Sequence, residues 1–255
     1  MGYCMRLLSR LWWFEGNREV SENFGRQAIE VLENQPSSNT KAMAYSNMAQ
    51  LRMVSNDTVE CIYWGKKAIA IAKEVNDEGT LAHALNCVGT VYMKDASSIK
   101  KGIGMLQHSL EIALKNGYHD HVARAYTNLA CLAIRSRNYQ LAESPLQEGR
   151  AYCAEHNLDS WGTYLDAWQA YIKFEQGSWD AAAEEARRVL NHFRLSTVVK
   201  ITALVVLGWI GVRRGDPGSE RILDEARTLA LATGELQRIA PVAAARAEAA
   251  WLRGD

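Results

Sequence analysis

The chain has 255 residues, of which 48% are hydrophobic, and its 29 basic residues balance 29 acidic ones to give no formal net charge. The even charge argues against a nucleic-acid-binding surface, and the absence of any apolar run of about 18 residues or more argues against a membrane span. The five cysteines are odd in number, widely spaced and without a C-x-x-C pair, which favours reduced thiols in a cytoplasmic protein over a disulfide framework.

The N-terminal segment, residues 1–14, is apolar and is predicted to form the first helix. Arg6 and Arg10 interrupt its apolar stretch, and no small-residue cleavage site follows it. A signal peptide has its positive charges before an uninterrupted apolar core. The segment is therefore interpreted as part of the fold.

Further along the chain, the hydrophobic pattern predicts helices in pairs joined by short turns. One pair is predicted at residues 41–54 and 58–75, with Asp57 as the N-cap of its second helix. Another pair is predicted at residues 122–136 and 139–156. Turns this short predict antiparallel helix pairs.

The later repeats follow the same scheme with stronger turn signals. Residues 176–178 form a predicted turn, and Arg213 to Pro217 form the next. Asp216 suits an N-cap and Pro217 suits the first helical position, where its missing N–H has no consequence. Pro145 lies inside a predicted helix, so we expect a kink or a late helix start there.

Two sets of residues recur every 38 to 41 positions. Small residues are expected where the two helices of a pair cross, since they allow close backbone approach: Ser9, Ala49, Gly89, Ala130, Ala170 and Gly208. Turn residues follow at the same period: Gly16, Asn56, Arg137, Gly177, Gly215 and Gly254, with Ala96 in the less regular third repeat. A second series of turns separates the pairs: Asn76-Asp77, Asn116-Gly117, Asn157 to Asp159, and Thr233-Gly234.

The residues around the small positions resemble tetratricopeptide repeats, abbreviated TPR. The resemblance is carried by Leu85-x-x-Val88-Gly89-x-x-Tyr92, Tyr126-x-x-Leu129-Ala130 and Tyr139-x-x-Ala142-x-x-x-Leu146. It implies an all-α, right-handed superhelical solenoid of antiparallel helix pairs. We expect one TPR-like array over residues 1–255, with six helix pairs and an unpaired helix at 241–252.

The period of about 40 residues is longer than the usual repeat. It resembles the sensor region of large ATP-dependent LuxR-type bacterial transcriptional regulators, the group that includes maltose-regulator-like ATPases. The stretches that look most alike are residues 5–14, 42–53, 82–90 and 234–248. The G-x-x-x-x-G-K-[ST] signature of the ATPase module and a helix-turn-helix are both missing, so ATP and DNA binding do not carry over. Because the pattern breaks off halfway through a repeat, we interpret the chain as a truncated relative or a fragment of such a regulator.

Three short motifs have a simpler interpretation than their strings suggest. Arg-Gly-Asp occurs at 214–216 and 253–255, where Arg ends a helix, Gly turns and Asp caps the next helix. His119-Asp120-His121 is assigned to a turn between repeats without enough further ligands for a metal site. The eight tryptophans are interpreted as helix-packing residues.

The first helix of each pair is expected to line a concave face, which suits an extended peptide or a partner helix. Side chains at fixed steps from the small positions should point into it: Arg6, Arg10, Trp13, Phe14, Ser46, Gln50, Met53, Asn86, Thr90, Met93, Thr127, Cys131, Ile134 and Arg135. About half of them are expected on the groove surface, and the others between helices.

No constellation of catalytic residues, cofactor site or metal site is apparent in the sequence. We therefore expect a non-enzymatic array that senses a signal or binds a partner, whether a peptide, a protein or a small-molecule inducer. A stand-alone adaptor with a dedicated partner is the alternative, and an enzyme is the least favoured class. Direct nucleic-acid binding and membrane association are not expected.

Overall fold

The computed structural model describes residues 1–14 and 17–254, and all the regular elements within these ranges are α-helices. The all-α prediction is confirmed, and the predicted helices at 41–54, 58–75 and 139–156 agree with the structure to within two residues. The helices are α1 (Gly2–Phe14), α2 (Arg18–Leu32), α3 (Asn39–Val54), α4 (Thr58–Glu74), α5 (Glu78–Tyr92), α6 (Ile99–Lys115), α7 (His119–Arg135), α8 (Tyr139–Glu155), α9 (Asp159–Glu175), α10 (Trp179–Leu190), α11 (Thr197–Arg214), α12 (Ser219–Thr233) and α13 (Leu236–Arg253).

The chain forms two compact units, residues 1–132 and 133–255, which we call the N-terminal and C-terminal units. In the N-terminal unit α1 packs on α2, α3 on α4 and α5 on α6, while α3 also contacts α1 and α5. In the C-terminal unit α9 packs on α10 and α11 on α12, while α11 also contacts α9 and α13. The odd-numbered helices, here called inner helices, thus contact one another as well as their partners. One continuous array over residues 1–255 stays a prediction.

The predicted turns contain residues in the left-handed backbone conformation, which ends an α-helix by turning the chain back. Within pairs these residues are Asn56, Arg137, Gly177 and Gly215, between pairs they are Asn76, Gly117, Asn157 and Gly234, and Gly254 ends α13. The turn prediction is confirmed at all nine. Gly16 lies outside the described residues. Ala96 has no positive φ, and its turn is held instead by the Ser98 hydroxyl, which donates to the Tyr92 carbonyl at 2.8 Å.

Side-chain caps fix where several helices begin. The carboxylate of Asp57 accepts a hydrogen bond from the Glu60 N–H at 3.1 Å, as predicted for an N-cap. Five other cap residues likewise accept a hydrogen bond from the N–H of the third helical residue: Asn17, Ser38, Asp77, Asn138 and Ser196. Because the caps alternate with left-handed turns, the helix lengths are set locally.

The small residues at the helix crossings are buried, as the repeat predicts. The closest crossing is between α5 and α6, at Gly89 and Gly102. A Cβ atom placed on Gly102 would lie 2.6 Å from the Met93 nitrogen and 2.7 Å from the Gly89 oxygen. These distances are too short for any side chain, so the two backbones are in direct contact at this point.

The start of α12 was predicted wrongly. Asp216 and Pro217 were expected as N-cap and first helical residue, but the helix begins at Ser219 with Gly218 as its N-cap. Gly218 has φ of 85°, a left-handed conformation that keeps the preceding residues outside the helix. The Asp216 N–H instead bonds to the Gly211 carbonyl at 2.8 Å, which closes α11.

The prediction at Pro145 named two possible effects, a kink or a late helix start. No late start occurs, because Asn138 caps α8 at its predicted first residue by accepting from the Leu141 N–H at 3.2 Å. Ala142 and Leu146 are buried on either side of the proline and hold this part of the helix against its neighbours. A bend at Pro145 stays a prediction.

The last helix also begins earlier than predicted, at Leu236 instead of Pro241. A proline within a helix leaves the carbonyl four residues earlier without its usual N–H donor. Here that carbonyl belongs to Gln237, and it accepts a hydrogen bond from Nη2 of Arg135 at 2.7 Å. This substitute donor explains why the helix extends through the proline. Ala247, which continues the series of small residues 39 positions after Gly208, is exposed.

No helix in the described part of the chain is both long and apolar enough to span a membrane.

The α5–α6 crossing leads to a stability prediction. Gly102→Ala should lower the free energy of unfolding by about 1–3 kcal/mol, since the added methyl group forces the two backbones apart. Urea denaturation of the whole chain measures the change.

Gly104→Ala is the matched control in the same helix, because a Cβ there meets no atom within 4 Å. It should raise the free energy of unfolding by about 0.5–1 kcal/mol through helix propensity alone. A shift of the same sign and size in both variants would contradict the close crossing.

Candidate functional site

The inner helices of the N-terminal unit bury a set of polar side chains, which we call the inner polar face. Its members lie on α3, α5 and α7 at spacings of three or four residues, so each helix contributes one polar stripe. The members are the buried Ser46, Gln50, His83, Asn86, Thr90, Arg124 and Thr127 and the half-buried Asn128. Buried polar groups need hydrogen-bond partners, so their bonding can be followed group by group.

At one end of this face, His83 lies next to Ser46 and Gln50 and is 2% exposed. Its Nε2 lies 2.9 Å from Oε1 of Gln50, and its Nδ1 lies 2.6 Å from the Ser46 hydroxyl. The Gln50 oxygen also accepts from Nη1 of Arg124 at 3.2 Å, which fixes it as the amide oxygen. We therefore assign the His83 proton to Nε2, and the Ser46 hydroxyl donates to Nδ1.

Both histidines at this end are held in their neutral form. Burial is the main cause that lowers the pKa of His83 well below its usual value, and the positive charge of Arg124 adds to it. Burial and Arg124 likewise lower the pKa of His121 to about 4, while Asp120 opposes the shift. The two imidazole rings lie 5.6 Å apart between centroids.

Arg10 on α1 faces the start of α7, across the faces of α3 and α5. Its Nη2 lies 3.7 Å from the Asp120 carboxylate, and Nη2 of Arg124 lies 3.4 Å from the same oxygen. Together with the bond between Arg124 and Gln50, these contacts bring the first and fourth inner helices within side-chain reach of each other. The inner polar face is therefore enclosed at this end.

The other end of the face has unmet hydrogen-bonding capacity. Nδ2 of Asn128 donates to Oδ1 of Asn86 at 2.7 Å, which joins α7 to α5. Among the residues that the structure describes, Nδ2 of Asn86 and the hydroxyls of Thr90 and Thr127 have no hydrogen-bond partner. These residues are 1%, 5% and 1% exposed, respectively.

Most of the residues predicted for the concave face lie on the inner helices but are more buried than a free groove would leave them. Ser46, Gln50, Asn86, Thr90, Met93, Thr127, Cys131 and Ile134 are buried. Arg6, Arg10, Trp13 and Met53 are half-buried, and Arg135 is exposed. The side chain of Phe14 lies outside the described residues. Their role in binding stays a prediction.

The sequence analysis missed His83, Arg124 and Asn128, which connect the network. His83 lies six residues before Gly89, and Arg124 lies six before Ala130, so each continues a predicted stripe by one helical turn. The predicted stripe extends only one helical turn before each small residue, so it stops short of His83 and Arg124. His119 to His121 begin α7 instead of forming a turn, and no group of three possible metal ligands occurs among the described residues.

In the C-terminal unit the inner face contacts the chain's own last helix. A cavity of about 20 Å³, which is enough for one water molecule, is lined by Arg135, Trp168 and Tyr171 on one side and by the start of α13 on the other. Nη1 of Arg238 donates to the Tyr164 hydroxyl at 2.7 Å, beside the bond from Arg135 to Gln237. Arg135, which was predicted for the concave face, thus donates a hydrogen bond to the backbone carbonyl of Gln237 in the same unit.

Helix pairs closed by left-handed turns, with inner helices that contact one another, define a TPR-like helical-repeat protein. No protein-family model and no curated protein sequence matches the chain.

Three solved structures have a similar fold. A Rap protein complexed with Competence and Sporulation Factor superposes with a TM-score of 0.73 at 16% identity, covering 99% of this chain and 75% of that one. The apo form of RapI gives 0.56 at 16% identity, with 96% and 82% covered. BtubC from P. vanneervenii gives 0.57 at 18% identity, with 89% and 92% covered. Identities this low establish the fold alone, so the narrower resemblance to LuxR-type regulators stays a prediction.

The neutral histidines predict how stability depends on pH. The unfolded chain protonates histidine near pH 6.5, whereas folded His121 has a pKa of about 4, so the folded state loses stability as the pH falls through this interval. His121→Gln should reduce the loss between pH 7 and pH 4.5 by about 1–2 kcal/mol. Urea denaturation at both pH values measures it.

The exposed His108 provides the control in the same unit. His108→Gln should leave the loss between the two pH values unchanged. If His121→Gln behaves in the same way, the histidine is not held neutral by the inner polar face.

Proposed function

We propose that the chain is a non-enzymatic, TPR-like interaction protein that takes up an extended peptide segment on the inner polar face. The segment is a short peptide or part of a larger protein partner. The observation that carries the proposal is the group of buried polar atoms on Asn86, Thr90 and Thr127 that have no partner among the described residues. Leaving such a group buried and unpaired costs about 1–3 kcal/mol, so a ligand that pairs with it gains that amount.

A peptide backbone suits these groups because it alternates N–H donors and C=O acceptors along an extended chain. The Asn86 amide donates, and a threonine hydroxyl both donates and accepts. Asn86 and Thr90 lie one helical turn apart on α5, about 6 Å, which matches two residues of an extended strand. The half-buried Met53 on the neighbouring inner helix adds an adaptable apolar side chain, whereas Met93 is buried against Gly102 of α6.

Access requires the enclosed end of the face to open. The contact of Asp120 with Arg10 joins α7 to α1 there, and the two side chains are 50% and 29% exposed. An ion pair this exposed contributes only about 0–1 kcal/mol, so this charge pair adds little to the free energy of separating α1 from α7.

The similarity to the Rap protein complexed with Competence and Sporulation Factor supports a bound partner by analogy of fold. The balanced charge of the chain supports a peptide or protein partner over nucleic acid. A small-molecule inducer in the same place remains part of the proposal, as does a cytoplasmic location.

A finer proposal concerns origin. The long repeats support descent from the sensor region of a LuxR-type regulator, and a stand-alone adaptor is the alternative. The neighbouring reading frames separate the two: an ATPase fragment upstream or a helix-turn-helix fragment downstream favours the regulator, whereas unrelated complete genes on both sides contradict it.

The peptide proposal predicts that Thr90→Val combined with Thr127→Val weakens binding without loss of stability. Valine keeps the shape and removes two hydroxyls that the free protein leaves unpaired. Each lost bond to a ligand corresponds to about 1 kcal/mol, so the double variant should bind about 5- to 30-fold more weakly. The probe is the tightest-binding pool of a fluorescent hexapeptide library, followed by fluorescence anisotropy, with thermal unfolding as the stability measurement.

Thr163→Val is the matched control, because this buried threonine lies in the C-terminal unit and its hydroxyl donates to the Asp159 carbonyl at 2.8 Å. It should leave peptide binding unchanged. Equal peptide affinity of the wild type and the Thr90/Thr127 double variant would overturn the proposed use of the inner polar face.

A further inference from the structure

A lysine ammonium on α4, outside the inner polar face, is surrounded by aromatic rings. Nζ of Lys67 faces three ring centroids at 4.7, 5.1 and 5.4 Å, those of Tyr63, Trp64 and Tyr45, respectively. We call Tyr45, Tyr63 and Trp64 the aromatic cup. A close pair of one cation and one ring is common in proteins, but here a single cation meets three rings at once.

The three rings of the aromatic cup approach the ammonium from different directions. The planes of Trp64 and Tyr63 are inclined by 76°, with centroids 4.9 Å apart. Those of Trp64 and Tyr45 are inclined by 42°, with centroids 5.5 Å apart. Rings inclined in this way form a concave wall instead of a flat stack. Because the face of an aromatic ring carries negative electrostatic potential, the cup attracts a cation.

Helix geometry and packing hold the cup in shape. Tyr63 and Trp64 lie four and three residues before Lys67 on α4, so all three share one face of that helix. Tyr45 on α3 is 3% exposed and belongs to the core cluster on which Trp64 packs. The Trp64 indole N–H also donates to Oε2 of Glu60 at 3.0 Å. Tyr63, by contrast, is 47% exposed, so the cup is open to solvent.

Lys67 marks the position of a cation in the cup. A hydrogen bond with Tyr63 is the first cause that raises the pKa of Lys67, although partial burial opposes it, so the ammonium stays charged. The carboxylate paired with it is that of Glu33, whose Oε1 lies 3.7 Å from Nζ, beyond hydrogen-bond distance. The two side chains are 34% and 53% exposed.

The chemistry of the cup suits a different ammonium better than that of Lys67. A primary ammonium has three N–H donors and is strongly hydrated, and ring faces satisfy these donors less well than water does. A quaternary ammonium has no N–H donor, and aromatic rings grouped around one point are a general way of binding it. The flexible lysine stem lets Lys67 move into solvent when another cation enters.

We propose that the aromatic cup binds a quaternary ammonium group, and that Lys67 occupies the same position in the free protein. The group belongs either to a small choline-like molecule or to a trimethyllysine side chain of a partner, since both present the same cation. The Glu33 carboxylate at the edge of the cup attracts it further. This site is separate from the peptide function proposed above.

The test measures binding to the full chain by isothermal titration calorimetry, with pairs of probes that have the same shape and differ in charge. Choline is compared with 3,3-dimethylbutan-1-ol, in which carbon replaces the charged nitrogen. A trimethyllysine peptide is compared with a peptide whose side chain carries the same replacement. Three ring faces should make each charged probe bind about 10-fold more tightly, or more, than its neutral partner. Whichever charged probe binds more tightly identifies the source of the cation.

Two variants change the cup in opposite directions. Lys67→Ala removes the occupant and should tighten choline binding about 3- to 10-fold, because the position is then vacant in every molecule. Tyr63→Leu removes the most exposed ring and should weaken choline binding about 2- to 5-fold, the effect of one cation–π contact at an exposed site. Thermal unfolding of both variants shows whether the fold is kept.

Lys101→Ala is the matched control. Lys101 lies on α6 in the same unit, where its Nζ is 4.1 Å from the ring centroid of a single tyrosine, Tyr92. Removing a lysine from one ring creates no cup, so this variant should bind choline with the affinity of the wild type.

Four outcomes would overturn the inference. They are equal binding of the charged and neutral probes, unchanged binding in a folded Tyr63→Leu variant, no binding of either charged probe at millimolar concentration, and binding that appears only in Lys67→Ala. The Thr90→Val, Thr127→Val double variant should bind choline as the wild type does, so a failure at the aromatic cup and a failure of the peptide proposal are distinguished.

Discussion

Close packing of the helices, both within and between pairs, is the constraint on which the rest of this structure depends. At Gly89 and Gly102 the backbones of α5 and α6 leave no room for a Cβ atom, and between pairs a Cβ on Gly65 of α4 would lie 2.1 Å from the Val88 side chain of α5. Because the pairs are this tightly packed, side chains on the first inner helix reach the fourth, as the contact between Arg10 and Asp120 shows. Larger residues at the crossings would separate the helices and with them the polar groups of the inner face.

The inner polar face combines two kinds of buried group that have opposite effects on the fold. Both ring nitrogens of His83 lie within hydrogen-bond distance of a partner, and a connected network of this kind favours one arrangement of α3, α5 and α7. Toward Thr90 the groups are buried without partners, which is unfavourable in the free protein. A connected end next to an unsatisfied end is what a preorganised site for a polar ligand requires.

The C-terminal unit uses the same architecture differently. Its core is one continuous, mostly aliphatic cluster that includes Phe174 and Trp209, whose rings stack with centroids 5.5 Å apart, and its inner face is in contact with the start of α13. Pro241 has a structural role there, because the carbonyl that it leaves free becomes the acceptor for Arg135. The two units therefore share the same repeat but differ at their inner faces. The N-terminal unit has buried polar atoms without a hydrogen-bond partner, whereas the inner face of the C-terminal unit is in contact with α13.

The sequence by itself determined the local features of this protein. The period of small and turn residues, the capping residues such as Asp57 and the left-handed turns such as Gly177 act over only a few positions, and so the helix pairs were predictable to within two or three residues. The starts of α12 and α13 were not, because they depend on a left-handed Gly218 and on a hydrogen bond from Arg135, which is 102 residues distant from Gln237. The polar stripes of the inner helices were likewise visible in part, as at Gln50, Asn86 and Thr90. That they are buried, that His83 and Arg124 connect them and that Arg10 faces Asp120 was decided only by the tertiary structure, because these contacts join helices whose distance depends on how tightly every intervening pair is packed.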